Sequence, residues 1–342
     1  GMSAANEDRP LRIVITDSGL GGLSICAEIE KDLRTAAGRP PVELIYVNAW
    51  PDPNWGYNDL PDPASRARVL DKALAVMAGY GPDLILIACN TLSVLYELTE
   101  FKREPPPIAD RRPDAAKISG DMIPRRRSGT GNHVPWPRPV PVRGIIDEGV
   151  ALFEEALNRD PESGLVVFGT RTTIESREHV RRLAGRGIAL ERLSGAACHR
   201  LAAVIDDDPD SPLVAEMIGR CIPNDLPPPG SGGTIYAGLA CTHYAYVRDV
   251  FEAALARRTR RRVEILDPNL RLVRSVTAAL AAEYPAGGGE DTLPGGEAIS
   301  VEVVSKIELG EAKRRAIGRK IEPVSPRTAE ALLAYTWTPG LF

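Results

Sequence analysis

The stretch Leu11-Arg12-Ile13-Val14-Ile15-Thr16-Asp17-Ser18-Gly19-Leu20-Gly21-Gly22 decides how this chain folds. A β-branched apolar run stops abruptly at small polar residues, and a helical pattern then continues to about Leu33. That is the signature of a buried parallel strand feeding a helix. Three further runs repeat it: Asp83 to Ala88, stopping at Cys89-Asn90-Thr91; Gly164 to Phe168, stopping at Gly169-Thr170 before a predicted helix from Ile174 to Leu183; and Thr234 to Ala240, stopping at Cys241-Thr242-His243. Additional strands are predicted at Val42 to Val47, Val142 to Ile146, Ile188 to Leu193 and Val263 to Leu266. Strands alternating with helices make the fold class α/β with mostly parallel sheets. Asp17 and Cys89 lie 72 positions apart and Thr170 and Cys241 lie 71 apart, which points to an internal duplication rather than to chance spacing.

Composition sets the outer limits. With 342 residues, 43% hydrophobic and 26% charged, the chain is long enough to bury full-sized cores, and wholesale disorder is excluded. A formal charge of −4 does not advertise a nucleic-acid or anionic-membrane partner, and neither partner is expected. Five scattered cysteines (Cys26, Cys89, Cys198, Cys221 and Cys241) form no C-x-x-C pair, so reduced thiols in a cytoplasmic setting are expected, with no disulfide framework and no zinc knuckle. No apolar run reaches membrane-spanning length, no signal-peptide layout opens the chain, and Gly1-Met2 reads as a tag-cleavage scar. Phe101 to Arg138, with seven prolines and Arg125-Arg126-Arg127, reads as a surface insertion. Gly287 to Gly296 reads as a linker, and Val301 to Phe342 as a tail that is strand-like and then helical from Arg327 to Tyr335.

In parallel sheets ligands bind beyond the carboxyl ends of the strands, where the polar clusters sit. Cys89 and Cys241 each follow a buried strand and open a helical segment, a setting that favours a thiolate. Either taken alone reads more readily as a small core residue than as a nucleophile. At matched places in two facing halves, however, the two thiols would approach one ligand from opposite sides, a geometry suited to inverting a carbon stereocentre. Asp17 and His243 are the candidate helpers that orient the sulfurs and exchange protons with them, and both are also plausible caps. Ser18, Asn90, Thr91, Thr170, Thr173 and Thr242 supply hydroxyls, an amide and backbone N–H groups that would cradle a carboxylate. The Gly19-Leu20-Gly21-Gly22 run lacks the third glycine of a dinucleotide fingerprint, and Cys241 with His243 finds no second ligand pair, so neither cofactor nor metal is expected. Cys26, Cys198, Cys221, His133, His179 and His199 are assigned structural or surface roles.

Thr16-Asp17-Ser18-Gly19-Leu20-Gly21-Gly22-Leu23-Ser24, Ala88-Cys89-Asn90-Thr91 with Ser93, and Cys241-Thr242-His243-Tyr244 closely resemble the signature segments of the cofactor-independent aspartate/glutamate racemase superfamily, and most of all glutamate racemase. The resemblance runs from about residue 11 to 280. It implies two pseudo-symmetric doubly wound domains with the active site in the cleft between them. The first would comprise residues 1–138 and 265–342, carrying the insertion and a C-terminal extension, and the second residues 139–264. It further implies racemisation or epimerisation of an acidic amino acid, without cofactor, by two-thiol proton transfer. Cys89 and Cys241 would be the paired acid/base groups, Asp17 and His243 their assistants, and Ser18, Asn90, Thr91 and Thr242 the groups that hold the substrate. In a strict glutamate racemase the product would be D-glutamate for peptidoglycan.

Two departures bear on the substrate. Asn54-Trp55-Gly56 stands where the family usually carries Pro-Tyr-Gly in the loop that reads the substrate side chain, so Trp55 and Gly56 are expected to line the site with altered preference. Arg171 adds a cation that would either meet an acidic substrate or face solvent. The competing readings are isomerisation or decarboxylation of a different carbon acid, and a non-catalytic amino-acid-binding module. The expected partner is a small amino acid or related carboxylate, and a homodimer is an open assembly.

Overall fold

In the computed structural model, residues 10–36, 40–106, 139–230, 232–283 and 298–342 are described. Most of the Phe101 to Arg138 insertion, His133 and the Gly287 to Gly296 linker lie outside them. The chain opens with β1 (Leu11–Asp17), α1 (Leu23–Thr35), β2 (Val42–Asn48), α2 (Pro63–Gly79), β3 (Leu84–Ile87), α3 (Asn90–Tyr96) and α4 (Glu100–Arg103). There follow β4 (Val142–Gly144), α5 (Ile146–Arg159), β5 (Gly164–Gly169), α6 (Arg171–Glu175), α7 (Glu178–Gly185), β6 (Leu193–Ala197), α8 (Leu201–Asp207), α9 (Pro212–Cys221), β7 (Ile235–Ala240), α10 (Arg248–Ala256) and β8 (Val263–Leu266). The chain closes with α11 (Pro268–Glu283), β9 (Ile299–Ser305), α12 (Glu311–Ile321), α13 (Pro326–Leu333) and β10 (Thr336–Trp337).

Two sheets result, ordered β10-β9-β2-β1-β3-β4 and β6-β5-β7-β8, with every ladder parallel. The predicted α/β class, the parallel sheets and their pseudo-symmetry are therefore observed. In each half the first strand lies between the second and the third, so β2-β1-β3-β4 and β6-β5-β7-β8 repeat one order. The apolar runs are continuous because both faces of each sheet are covered. Ile13 and Ile15 enter one core cluster and Val14 the other, while Val166 and Phe168 separate in the same way from Leu165 and Val167. Alternate side chains of a strand point to opposite faces, so a strand buried on both must be apolar throughout.

Several expectations are corrected. The strand placed at Ile188 to Leu193 is β6, which starts at Leu193. Ile188 instead closes the end of α7, its N–H donating to the Leu183 carbonyl at 3.1 Å after Gly187 at φ +90°. Its burial, which mimics a strand residue, comes from packing into the core cluster that holds Phe153, Leu165 and Leu183. The actual strand, Leu-Ser-Gly-Ala-Ala, is built of small residues because Ile174 lies over Gly195, where an added Cβ would stand 3.1 Å from Ile174 Cγ2. The single helix drawn from Ile174 to Leu183 is broken into α6 and α7 by Arg177 at φ 54°. Val142–Gly144, which a boundary at 138/139 assigns to the second unit, pairs with β3 in the first sheet. The tail gains α12 and adds β9 and β10 to the first sheet.

The expectation of five reduced thiols also fails. Cys198 and Cys221 form a disulfide with Cα atoms 5.4 Å apart, while Cys26, Cys89 and Cys241 are free. The end of β6 and the end of α9 pack onto one core cluster, which brings together two cysteines 23 positions apart. Among the described residues no helix is long and apolar enough to cross a membrane.

His179 is buried beside Phe153, its Nε2 has no hydrogen-bond partner among the described residues, and burial, helped by Arg182, holds its pKa down at about 4. The unfolded chain binds a proton near pH 6.5 that the native imidazole refuses, so this site's contribution to stability is complete above that pH and is lost as pH falls toward 4. The loss amounts to about 3 kcal/mol. Urea unfolding of His179→Leu and of the parent chain between pH 7 and 4 is expected to show a shallower acid decline for the variant; parallel declines would contradict it.

Candidate functional site

The site candidates converge where the carboxyl ends of β1, β3, β5 and β7 meet. Asp17 ends β1, is fully buried, and accepts a hydrogen bond from the Thr242 hydroxyl of the other half at 2.5 Å. Burial raises its pKa, with Asp206 adding to the rise and the His243 charge and the Thr242 hydroxyl opposing it. Its Oδ1 is buried without a partner among the described residues. Ser18 Oγ lies 3.3 Å from Cys89 Sγ. Cys89 caps α3, its sulfur accepting from Leu92 N at 3.4 Å. Burial and then the nearby Asp17 carboxylate push the Cys89 pKa up, so at rest this group is a neutral thiol.

The second half supplies the counterpart. Cys241 follows β7, and its sulfur is 3.7 Å from His243 Nδ1. The other ring nitrogen, Nε2, meets Asp206 Oδ1 at 2.5 Å, and a second contact of that carboxylate, from Leu20 N at 3.1 Å, reaches back to the first half. Burial alone would lower the His243 pKa, but Asp206 outweighs it and holds the ring charged well above its ordinary range. Asp206 is correspondingly held below the usual carboxylate range, the His243 charge overcoming its own burial.

The glycines of the opening motif serve this approach. A Cβ on Gly21 would stand 2.3 Å from Thr242 Oγ1 and 2.6 Å from His243 Nδ1, so a side chain here would force the two halves apart.

Three hydroxyls join across the same boundary: Thr91 Oγ1 lies 2.6 Å from Thr170 Oγ1 and 3.3 Å from Thr173 Oγ1. Beside them Asn90 is 2% exposed, with both its Nδ2 and its Oδ1 lacking partners among the described residues. Buried polar atoms left without partners carry a cost that a bound polar ligand would relieve. The structure thus brings together Asp17, Ser18, Cys89, Asn90, Thr91, Thr170, Thr173, Cys241, Thr242 and His243. Trp55 is half-buried, and Gly56 lies under the Trp50 ring, where a Cβ would stand 2.3 Å from Cη2. From this loop it is Asn58 that reaches the other half, its Oδ1 accepting from Thr172 N at 2.9 Å and Thr172 Oγ1 at 2.6 Å. Arg171 faces solvent, paired with Glu175 at 2.8 Å. No cluster of three His, Cys, Asp or Glu side chains suited to a metal occurs among the described residues.

Sequence reasoning missed Asp206, Asn58, Thr172 and Trp50. A signal existed for Asp206. It lies in the helix after β6, beyond a strand's carboxyl end, and placing that strand at Ile188 hid it.

No family model matches the chain. It is similar to the glutamate racemase of Jannaschia sp. (strain CCS1), 28% identical over 260 residues, covering 72% of this chain and 77% of the relative. It is also similar to that of Lactococcus lactis subsp. cremoris (strain MG1363), 21% identical over 278 residues and 80% of each. Among solved structures, glutamate racemase isoform RacE1 from Bacillus anthracis superposes with a TM-score of 0.58 at 15% identity, covering 97% of this chain and 98% of that one. Glutamate racemase from Francisella tularensis, in complex with D-glutamate, gives 0.58 at 16% identity over 92% and 94%. These structures share the fold of this chain.

The ion pair yields a direct test. Replacing Asp206 by Asn leaves a hydrogen-bonding group but removes the charge, so burial is no longer outweighed and the His243 pKa is expected to fall from well above its ordinary value to that value or below it. Proton NMR of the ring across pH 5 to 9 reads this, and an unmoved titration would contradict the geometry.

Proposed function

We propose that this chain, a member of the aspartate/glutamate racemase superfamily, inverts the α-carbon of an acidic amino acid, glutamate first among them, by direct proton transfer between Cys89 and Cys241. The observation that carries this reading is the pairing itself. Two free cysteines follow equivalent strands of two like-ordered sheets, and each has its own proton-exchanging neighbour. The similarity to glutamate racemases over most of their length supports the substrate.

In one direction the Asp17 carboxylate takes the Cys89 proton, the thiolate removes the α-proton, and the Cys241 thiol delivers a proton to the opposite face. His243, kept protonated by Asp206, then returns a proton to the Cys241 sulfur. In the other direction the roles exchange, with a Cys241 thiolate facing the His243 charge and the neutral Cys89 thiol acting as the donor. Asn90, whose amide finds no partner among the described residues, and the hydroxyls of Thr91, Thr170 and Thr173 are assigned to the α-carboxylate and α-amino groups, with Ser18 and Thr242 orienting the sulfur and carboxylate beside them. Trp55 and Gly56 are assigned to the loop flanking the substrate side chain. The reading divides the chain into a unit of residues 1–138 with 265–342 and a unit near 139–264, supported by the return of β9 and β10 to the first sheet. It also calls for a reducing, cytoplasmic setting, since both acting sulfurs must be thiols.

Proton NMR in deuterated water, following the α-proton of L- and D-glutamate and L- and D-aspartate, tests the reading. Exchange with appearance of the second enantiomer is expected for one pair, with Cys89→Ala and Cys241→Ala each lowering inversion by about a thousandfold. Full inversion by either variant would sink the mechanism.

A further inference from the structure

The disulfide has no part in the chemistry above, yet it sits on the segment that carries Asp206. Cys198 directly follows β6, its N–H donating to Gly169 O at 3.0 Å, and three residues further on, at Leu201, α8 begins. Asp206 projects from the last turn of α8 onto His243, and α9 then returns the chain to Cys221. The bridge therefore closes a loop of α8 and α9 around the one carboxylate that charges His243. On the opposite side α12 holds the same segment, through Lys313 to Asp207 at 3.2 Å and Lys320 to Asp210 at 2.8 Å. Leu201 and Ile205 of α8 and Val214 and Ile218 of α9 are buried in the second-half core, so the segment stays folded when the bridge opens.

We propose that the Cys198–Cys221 disulfide is a redox-responsive brace that keeps Asp206 seated on His243, so that reducing it slows turnover without unfolding the chain. This deepens the racemase reading and rests on it. A site whose acting sulfurs must be thiols belongs where disulfides are exchangeable, and a bridge in such surroundings is characteristically a switch rather than a permanent staple. Cys198 is 3% exposed and Cys221 is partly exposed, so a reductant meets Cys221 first. A dithiol attacks the Cys221 sulfur and the S–S bond breaks. Cys198 leaves as a thiolate and takes up a proton, and the second thiol of the reductant then displaces Cys221 from the mixed disulfide. Two electrons pass from the dithiol to the protein. With the brace open, Asp206 spends less time against the ring. The groups left facing His243 are Cys241 from the end of β7 and Asp17 from β1, with Tyr46 of β2 and Tyr246 near the carboxylates and Lys313 of α12 drawing on Asp206.

The experiment begins with alkylation of the denatured, unreduced chain, where Cys26, Cys89 and Cys241 should react and the other two cysteines should not. Turnover of the oxidised chain, of the chain after a dithiol, and of Cys221→Ser is then compared across pH. Expected are a kcat about threefold or more lower in the latter two, and an alkaline limb lower by about half a unit or more. An Asp206→Asn background should show neither change on reduction. Alkylation of all five cysteines, unchanged kcat and pH profile after reduction, or an undiminished redox effect in Asp206→Asn would each overturn the brace. If no form exchanges the α-proton of any amino acid, the racemase reading fails instead, and the brace is judged by amide hydrogen exchange. Faster exchange across residues 199–221 after reduction supports it, and unchanged exchange overturns it.

Discussion

A buried charge has to be paired, and the chain organises itself around one such pairing. The His243 ring is 4% exposed and is held charged chiefly by Asp206, and Asp206 is kept ionised chiefly by the His243 charge, with Lys313 and the Leu20 N–H assisting. Neither group tolerates the interior alone. Their contact demands that α8, the turn after β7 and the loop after β1 meet at one point, because the same carboxylate also accepts from Leu20 N. The glycines between Ser18 and Leu23, the hydrogen bond from Thr242 to Asp17 and the hydroxyl cluster of Thr91 with Thr170 follow from that close approach.

The two sulfurs stand in different electrostatic settings although the sheets that carry them repeat one order. Cys89 shares its surroundings with a buried carboxylate, which disfavours a second negative charge, whereas Cys241 faces a ring held cationic. Two like-built halves thus offer a substrate two unlike proton-exchanging groups, and the difference comes from the Asp17 carboxylate beside Cys89 and the His243 ring, charged by Asp206, beside Cys241.

Legibility was uneven for physical reasons. Strands buried on both faces must be apolar throughout, so β1, β3, β5 and β7 stand out in the linear pattern, and the polar residues that stop them mark the site edge. β6 was misplaced because its small residues, required under Ile174, carry no hydrophobic signal, while Ile188, packed in the core beyond a helix end, supplied a false one. Asp206 follows that strand and so lost its marker, and Asn58 carries none, because its contact is with Thr172, 114 positions away, and exists only once the two segments pack. The disulfide escaped because two cysteines 23 positions apart carry no spacing motif, and only the packing of a strand end and a helix end on one core brings them together.

The sequence by itself determined the α/β class, the parallel sheets, the matched spacing of two pairs of strand ends and the residues at the carboxyl ends of those strands, because each follows from local periodicity and from where apolar runs must stop. Tertiary structure alone decided which carboxylate charges His243, which loop residue reaches Thr172, and that Cys198 pairs with Cys221. These are contacts between segments far apart in the chain, and their energy lies in desolvation and distance, quantities that exist only once the sheets have packed.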